Sequence, residues 1–235
     1  EIMNYLDLNK KFWNRKYYAP NVEGFVFRLK PLLLDKYIKK KKLTTLDYGC
    51  GEGSNIKYLI NAYGYNGYGV DIIEPSIKIC QKKINKKNFK LIKSEVSEND
   101  KFFNVKFDLI ISIQVLYYLN NEDLNKRLVS LNKMLTPNGY VFFTTIGTKN
   151  KYWKYNSNKK IDNQGLTLVD IGSDKNYKLR QKQFVYHHYV NFCKSENDVK
   201  KKFKIFKPIS IGYTDGSLEG TKLGTYHFTF FGKKR

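Results

Sequence analysis

Apolar residues recur along the chain at two periods, three to four residues and two, and the alternation cuts it into short strands separated by helices. Tyr5, Leu6, Leu8, Phe12, Trp13, Tyr17 and Tyr18 stand among polar residues up to Pro20, a segment too aromatic for a disordered tail. From Val22 to Lys39 the apolar positions fall at helical spacing, and Pro31 predicts a kink or a restart within that helix. Leu43 to Tyr48, Tyr68 to Ile72 and Phe89 to Ile92 read as strands, with helices over Ile56 to Tyr63 and from Pro75 to Ile84 between them. Phe107 to Ile113 is the most apolar run, which predicts a central strand of a parallel sheet. Glu122 to Leu135 is amphipathic with acids in its first turn, and Thr136 to Gly139 form a turn into a fifth strand, Tyr140 to Ile146. Beyond Gly147 the pattern loosens until Phe184 to Phe192, a strand or extended edge, and a last short helix is expected over Glu196 to Lys202.

The junction of the first strand and the next helix carries the chemistry. Leu46 to Asn55 reads LDYGCGEGSN, with Gly49, Gly51 and Gly53 at alternate positions and Ser54 and Asn55 as helix-cap candidates. Glycines there let the backbone take positive φ and let a ligand approach the main chain, while the helix start aims unpaired N–H groups at the same place. The dinucleotide pattern G-x-G-x-x-G fails at Ser54, which weakens a nicotinamide reading. Asp71 ends the second strand about 20 residues beyond the loop, where a carboxylate can accept both hydroxyls of a ribose.

Composition changes this picture little. A hydrophobic fraction of 41% and an aromatic fraction of 16% describe a globular chain, and 235 residues suffice for one α/β domain, 1–235. Three cysteines, Cys50, Cys80 and Cys193, are too few and too scattered for a disulfide framework or a zinc site; reduced thiols in a cytoplasm fit better, and no metal is expected. No apolar run is long enough to span a bilayer and no signal peptide opens the chain. The net charge of +22 is carried mostly by lysine, in a chain also rich in asparagine, isoleucine and tyrosine. That bias fits an AT-rich coding sequence and a solvated lysine surface; a field selected for an anionic substrate, nucleic acid or membrane is the competing reading.

The run Asp47, Gly49, Gly51, Gly53 resembles motif I of the class I S-adenosylmethionine (SAM)-dependent methyltransferases, an acidic residue followed by x-G-x-G-x-G. Asp108 in the F-D-x-I pattern and the phrase LNKMLTPNGYVFFTT strengthen the resemblance, which is specific over Leu43 to Thr145. It implies a Rossmann-like α/β fold with a seven-stranded, mostly parallel sheet in the order 3-2-1-4-5-7-6, the last strand antiparallel. Phe203 to Tyr213 and Thr225 to Gly232 resemble the closing pair of that sheet. Residues 1–40 are then an N-terminal helical cap, either packed on the side of the domain or folded over the site as a lid. Residues 147–192 become an acceptor-side insertion. SAM, leaving as S-adenosylhomocysteine, is the implied cofactor, and Asp47, Gly49, Gly51, Gly53, Asp71, Ile72, Glu95, Val96 and Gln114 are the residues implied to hold it.

The acceptor is less legible, because an activated methyl asks chiefly for a nucleophile held in line. No N/D-P-P-Y/F/W sequence clamps a nucleobase amine, and no Pro-Cys dipeptide offers a thiol for attack on a pyrimidine. A small-molecule O- or N-methyltransferase acting on a phosphorylated, carboxylated or nucleotide-linked sugar acceptor, as in surface-polysaccharide or natural-product tailoring, is the leading expectation. An RNA or protein methyltransferase using the lysine surface, and a SAM-binding module without catalysis, are the alternatives; oligomeric state is open. His187, His188 and Tyr117 are the candidates for proton transfer, with a histidine packed for structure standing equally beside that reading of the pair. Tyr17, Tyr18, Tyr118 and Trp153 are the candidates for acceptor contact.

Overall fold

The computed structural model describes residues 4–14, 22–24, 26–155, 161–171, 187–216 and 224–235. Five parallel strands, β1 (Thr44–Tyr48), β2 (Asn66–Asp71), β3 (Phe89–Leu91), β4 (Phe107–Ser112) and β5 (Leu135–Ile146), lie in the order β3-β2-β1-β4-β5. The sheet then closes with two late strands, β9 (His227–Lys234) against β5 and β8 (Phe206–Thr214) at the edge. β9 runs antiparallel to both neighbours, so the expected 3-2-1-4-5-7-6 order holds once a separate antiparallel pair, β6 (Thr167–Asp170) and β7 (His187–Val190), is counted in the chain. β6 has no counterpart among the expected strands, since its alternation is too short to stand out in a loose stretch.

Helices α4 (Ser54–Tyr63), α5 (Glu74–Lys83) and α6 (Asn121–Met134) make the crossovers that parallel pairing requires. One apolar layer, containing Leu43, Ile56, Leu59, Ile77, Cys80, Leu109 and Ile111, lies on one face of the sheet. On the other face Leu46, Val70, Ile110, Leu124, Leu128, Leu131 and Phe143 pack together with Phe203 and Phe230. Pro31 does perturb its helix: α2 (Val26–Leu29) passes through a π-helical stretch, Lys30–Leu34, into α3 (Asp35–Tyr37) without a break. β5 begins five residues earlier than its alternation suggests, because Leu135 pairs with Phe107 before the register shifts and Tyr140 pairs with Leu109.

A third cluster lies apart from the sheet. Phe12 of α1 (Tyr5–Trp13) packs with Tyr117, Tyr118, Ile146, Val169, Val190 and Phe192, so α1 rests on the β6–β7 pair. Buried Asn9 pins it there, donating to the carbonyls of Tyr118 (3.0 Å) and Tyr189 (3.1 Å) and accepting from the Tyr189 N–H at 2.7 Å. Short helices α7 (Lys151–Lys154) and α8 (Glu196–Lys202) flank the insertion. Among the described residues no helix is long and apolar enough to cross a membrane.

Candidate functional site

β1, β2 and β4 run parallel and end at one edge of the sheet, and the chain leaves β1 in one direction for β2 and β3 and returns on its other side as β4. That reversal opens a crevice at the carboxyl ends of the strands. A cavity of about 460 Å³ fills it, walled by the glycine loop, by Asp71 to Ile73 after β2, by Ile113 to Val115 after β4, and by Leu6, Asn9 and Trp13 of α1. α1 thus packs on the β6–β7 pair and also borders this cavity.

The loop is tied to β2. The N–H groups of Gly49 and Cys50 donate to the Val70 carbonyl at 2.8 and 3.0 Å, and the Gly51 N–H donates to Asp71 Oδ2 at 2.8 Å. Asp71 Oδ1 accepts from the Ile73 N–H at 2.9 Å, so this carboxylate shapes the loop as well as facing the cavity. Burial raises its pKa, and the N–H groups of Gly51, Ile73 and Ile72 pull it partly back. A Cβ on Gly49 would strike Val115 at 2.3 Å, whereas one on Gly51 would meet nothing within 4 Å. Gly49 thus serves packing, and Gly51 leaves room at the cavity wall. Gly51→Ala is expected to cost about 1 kcal/mol of stability from its φ of +53°. It should weaken nucleotide binding more than tenfold, since the added methyl takes up ligand space; equal thermal shifts for mutant and parent on ligand addition would contradict this.

The cavity is acidic in a basic chain. Glu23, Glu52 and Asp71 line it, and no lysine or arginine does so among the described residues, although the chain has 43 Lys and Arg against 21 Asp and Glu. Glu23 is placed from two directions: its N–H donates to Asn55 Oδ1 at 3.0 Å, and the Gln114 side chain lies beside its carboxylate. Burial raises the Glu23 pKa and the Gln114 contact offsets part of the rise. Gln114 itself has φ 61°, the left-handed region, and its N–H donates to Thr144 Oγ1 at 2.7 Å. A side chain held there stores about 1–2 kcal/mol of strain at the cavity wall.

Of the residues expected from sequence, Gly49, Gly51, Asp71, Ile72, Gln114 and Tyr118 meet around this cavity. Others do not. Asp47 is sealed in β1 between Gly69 and Ile111, with Oδ2 lacking a hydrogen-bond partner; burial, then the charge of Asp71, pushes its pKa up to about 8. Gly53 lies under the loop, where a Cβ would meet Ile84 at 2.7 Å and Cys80 at 2.9 Å. Glu95 is exposed on an adjoining outer hollow beside Lys10 and Lys93, and Val96 packs on the core and lines neither space.

The histidine pair splits across its strand, as period-two geometry requires. His187 is half exposed and 3.4 Å from Asp170, while His188 is buried and stacked on Phe12 at 3.9 Å; neither reaches the cavity. Tyr117 is buried in the same aromatic cluster, and Trp153 stands edge-on to Phe192 at 5.1 Å, so neither lines the cavity. Tyr17 and Tyr18 lie outside the described residues. Glu23, Asn9, Asn55 and Trp13 line the cavity without having been singled out as site residues; only the lid reading of the aromatic N-terminal segment pointed towards Trp13.

A family profile described as a methyltransferase domain matches residues 18–162, more than half of the chain. The chain belongs to the class I SAM-dependent methyltransferases. Phosphoethanolamine N-methyltransferase of Plasmodium falciparum is 24% identical over 127 residues, 54% of this methyltransferase and 48% of that relative, so the match spans about half of the relative's length. Among solved structures, a SAM-dependent methyltransferase from Methanosarcina mazei superposes with a TM-score of 0.63 at 16% identity, covering 86% of this chain and 97% of that one. Magnesium protoporphyrin IX methyltransferase from Synechocystis, with bound SAM, gives 0.59 at 16% identity over 99% and 98% of the two chains. These likenesses carry the fold.

The family's cofactor fits the residues present. SAM bears a sulfonium and an ammonium against one carboxylate, a net positive charge that suits the three carboxylates on the cavity wall. Gly51 leaves open space at the cavity wall, and Asp71, at the tip of β2, presents a carboxylate that can accept from a vicinal diol.

Proposed function

We propose that this methyltransferase moves the methyl group of SAM to an oxygen or nitrogen of a small acceptor. The acid-lined cavity at the ends of β1, β2 and β4, closed on one side by α1, carries this reading. Bound SAM supplies a methyl already activated by its sulfonium. The chain's part is to hold and to exclude: the Gly49–Gly51 turn and Asp71 seat the nucleoside, and Trp13, Tyr118 and Leu119 offer apolar wall that keeps water from the acceptor end. With no histidine on the cavity among the described residues, positioning carries more of the catalysis than a strong base does.

An anionic acceptor draws support from the overall charge and from Lys10 and Lys93, which border the adjoining hollow. Phosphoethanolamine, named in the Plasmodium relative, joins a nucleophilic nitrogen to a phosphate and is the first acceptor to test. Calorimetric titration with SAM and S-adenosylhomocysteine tests the frame. Saturable binding is expected for the parent protein, with about a tenfold or greater loss in Asp71→Ala, which removes both the diol acceptor and the tie to Gly51. Folded parent protein that takes up neither nucleotide sinks the proposal. Transfer of labelled methyl to phosphoethanolamine then decides the acceptor.

A further inference from the structure

We propose that Glu23 is the residue that holds the α-ammonium of the cofactor's methionine end. This rests on the SAM-dependent reading above and adds a residue to which motif I does not point.

The direction of the cofactor follows from the sheet. Asp71 ends β2, the side on which a ribose is held, and β2 is followed outward only by β3. The remainder of the cavity runs the other way, past β1 to the end of β4, about 10 Å from β2 at two strand spacings. Glu23 stands at that far end, because it lines the cavity with its carboxylate beside Gln114, two residues beyond β4, and its N–H donates to Asn55 in the first turn of α4.

Glu23 is preorganised for a cation. It is partly buried, the bond from its own N–H to Asn55 holds its backbone, and no ion pair to it occurs among the described residues. A half-desolvated carboxylate without a countercharge is unfavourable in the empty protein and gains most from a ligand ammonium. The second cavity acid, Glu52, belongs to the glycine loop, on the β1 side of Gln114.

The test compares two ligands that share the nucleoside and differ in the amino-acid end: S-adenosylhomocysteine, which has the ammonium, and 5′-methylthioadenosine, which lacks it. Glu23→Gln keeps shape and the Gln114 contact but removes charge. Calorimetry should show S-adenosylhomocysteine weakened roughly 10- to 100-fold and methylthioadenosine unchanged. Because methylthioadenosine reports on the fold of the same variant, a general loss of structure appears as equal weakening of both and overturns the assignment. Unchanged affinity for S-adenosylhomocysteine overturns it as well, with the methyltransferase reading intact. Parent protein that binds neither ligand overturns both.

Discussion

Arg127→Ala should cost about 3 kcal/mol of stability, whereas Arg127→Met should cost less than about half of that. Arg127 is 1% exposed in the middle of α6, a position where a charge survives only with partners. One guanidinium nitrogen is 2.9 Å from Asp100 Oδ2 and the other donates to Ser130 Oγ at 3.3 Å, while the group lies 5.1 Å from the Tyr48 ring and 5.0 Å from that of Phe102. The side chain thereby ties α6 to the segment before β4 and to the end of β1, directly beneath the glycine loop. Asp100 is 32% exposed, so after truncation water can solvate its charge, and the Coulomb part of the pair counts for less than in a dry site. What remains is the void left by one of the largest buried side chains. Methionine refills most of that volume and needs no partner for the Nε that has none here. Urea denaturation of the two variants, read as midpoints at constant slope, separates these contributions. Equal losses for Ala and Met would mean that the charge, not the volume, holds the three segments together.

Arg127 also shows where reading the sequence stops. Its helix was legible from period and first-turn acids, but nothing in one chain distinguishes an arginine that enters a core from one on a solvated face. The parallel strands were legible because each is a short apolar run bounded by turn residues, and the glycine loop because φ of +78°, +53° and +81° at alternate positions asks for that residue type. Asp71 and Gln114 followed from strand ends. Glu23 did not, since it reaches the cavity only through the path of the N-terminal segment, a tertiary fact. The histidine pair shows the opposite limit. Residue type suggested chemistry, while the strand's alternation buried one ring against Phe12 and exposed the other. The lysine surplus says nothing about this wall, which among the described residues carries three acids and no lysine.

Asp47→Asn should remove a pH dependence of stability and leave the variant the more stable protein across the neutral range. Asp47 is 1% exposed, its Oδ2 has no partner, and burial raises its pKa from 3.8 to about 8. Between those two values the folded protein keeps a proton that the unfolded chain has released. Stability of the parent therefore falls as pH rises from about 4 and levels off above about 8, the reverse of a salt-bridged carboxylate. By pH 6 the loss is on the order of 3 kcal/mol. An amide is neutral throughout, so the slope disappears, while the extra N–H, left without a partner, returns about a third of the gain. Denaturant midpoints of parent and variant at pH 5, 6, 7 and 8 give the comparison, and parallel curves would show that Asp47 does not titrate in this window. The same acid explains why such a cost is kept. Asp71 adds negative charge beside it, and a ligand carrying sulfonium and ammonium charge reduces the penalty for ionising both carboxylates. With saturating SAM the slope of the parent should flatten while that of Asp47→Asn stays level, so the destabilised acid under the loop becomes part of the affinity for a cationic cofactor.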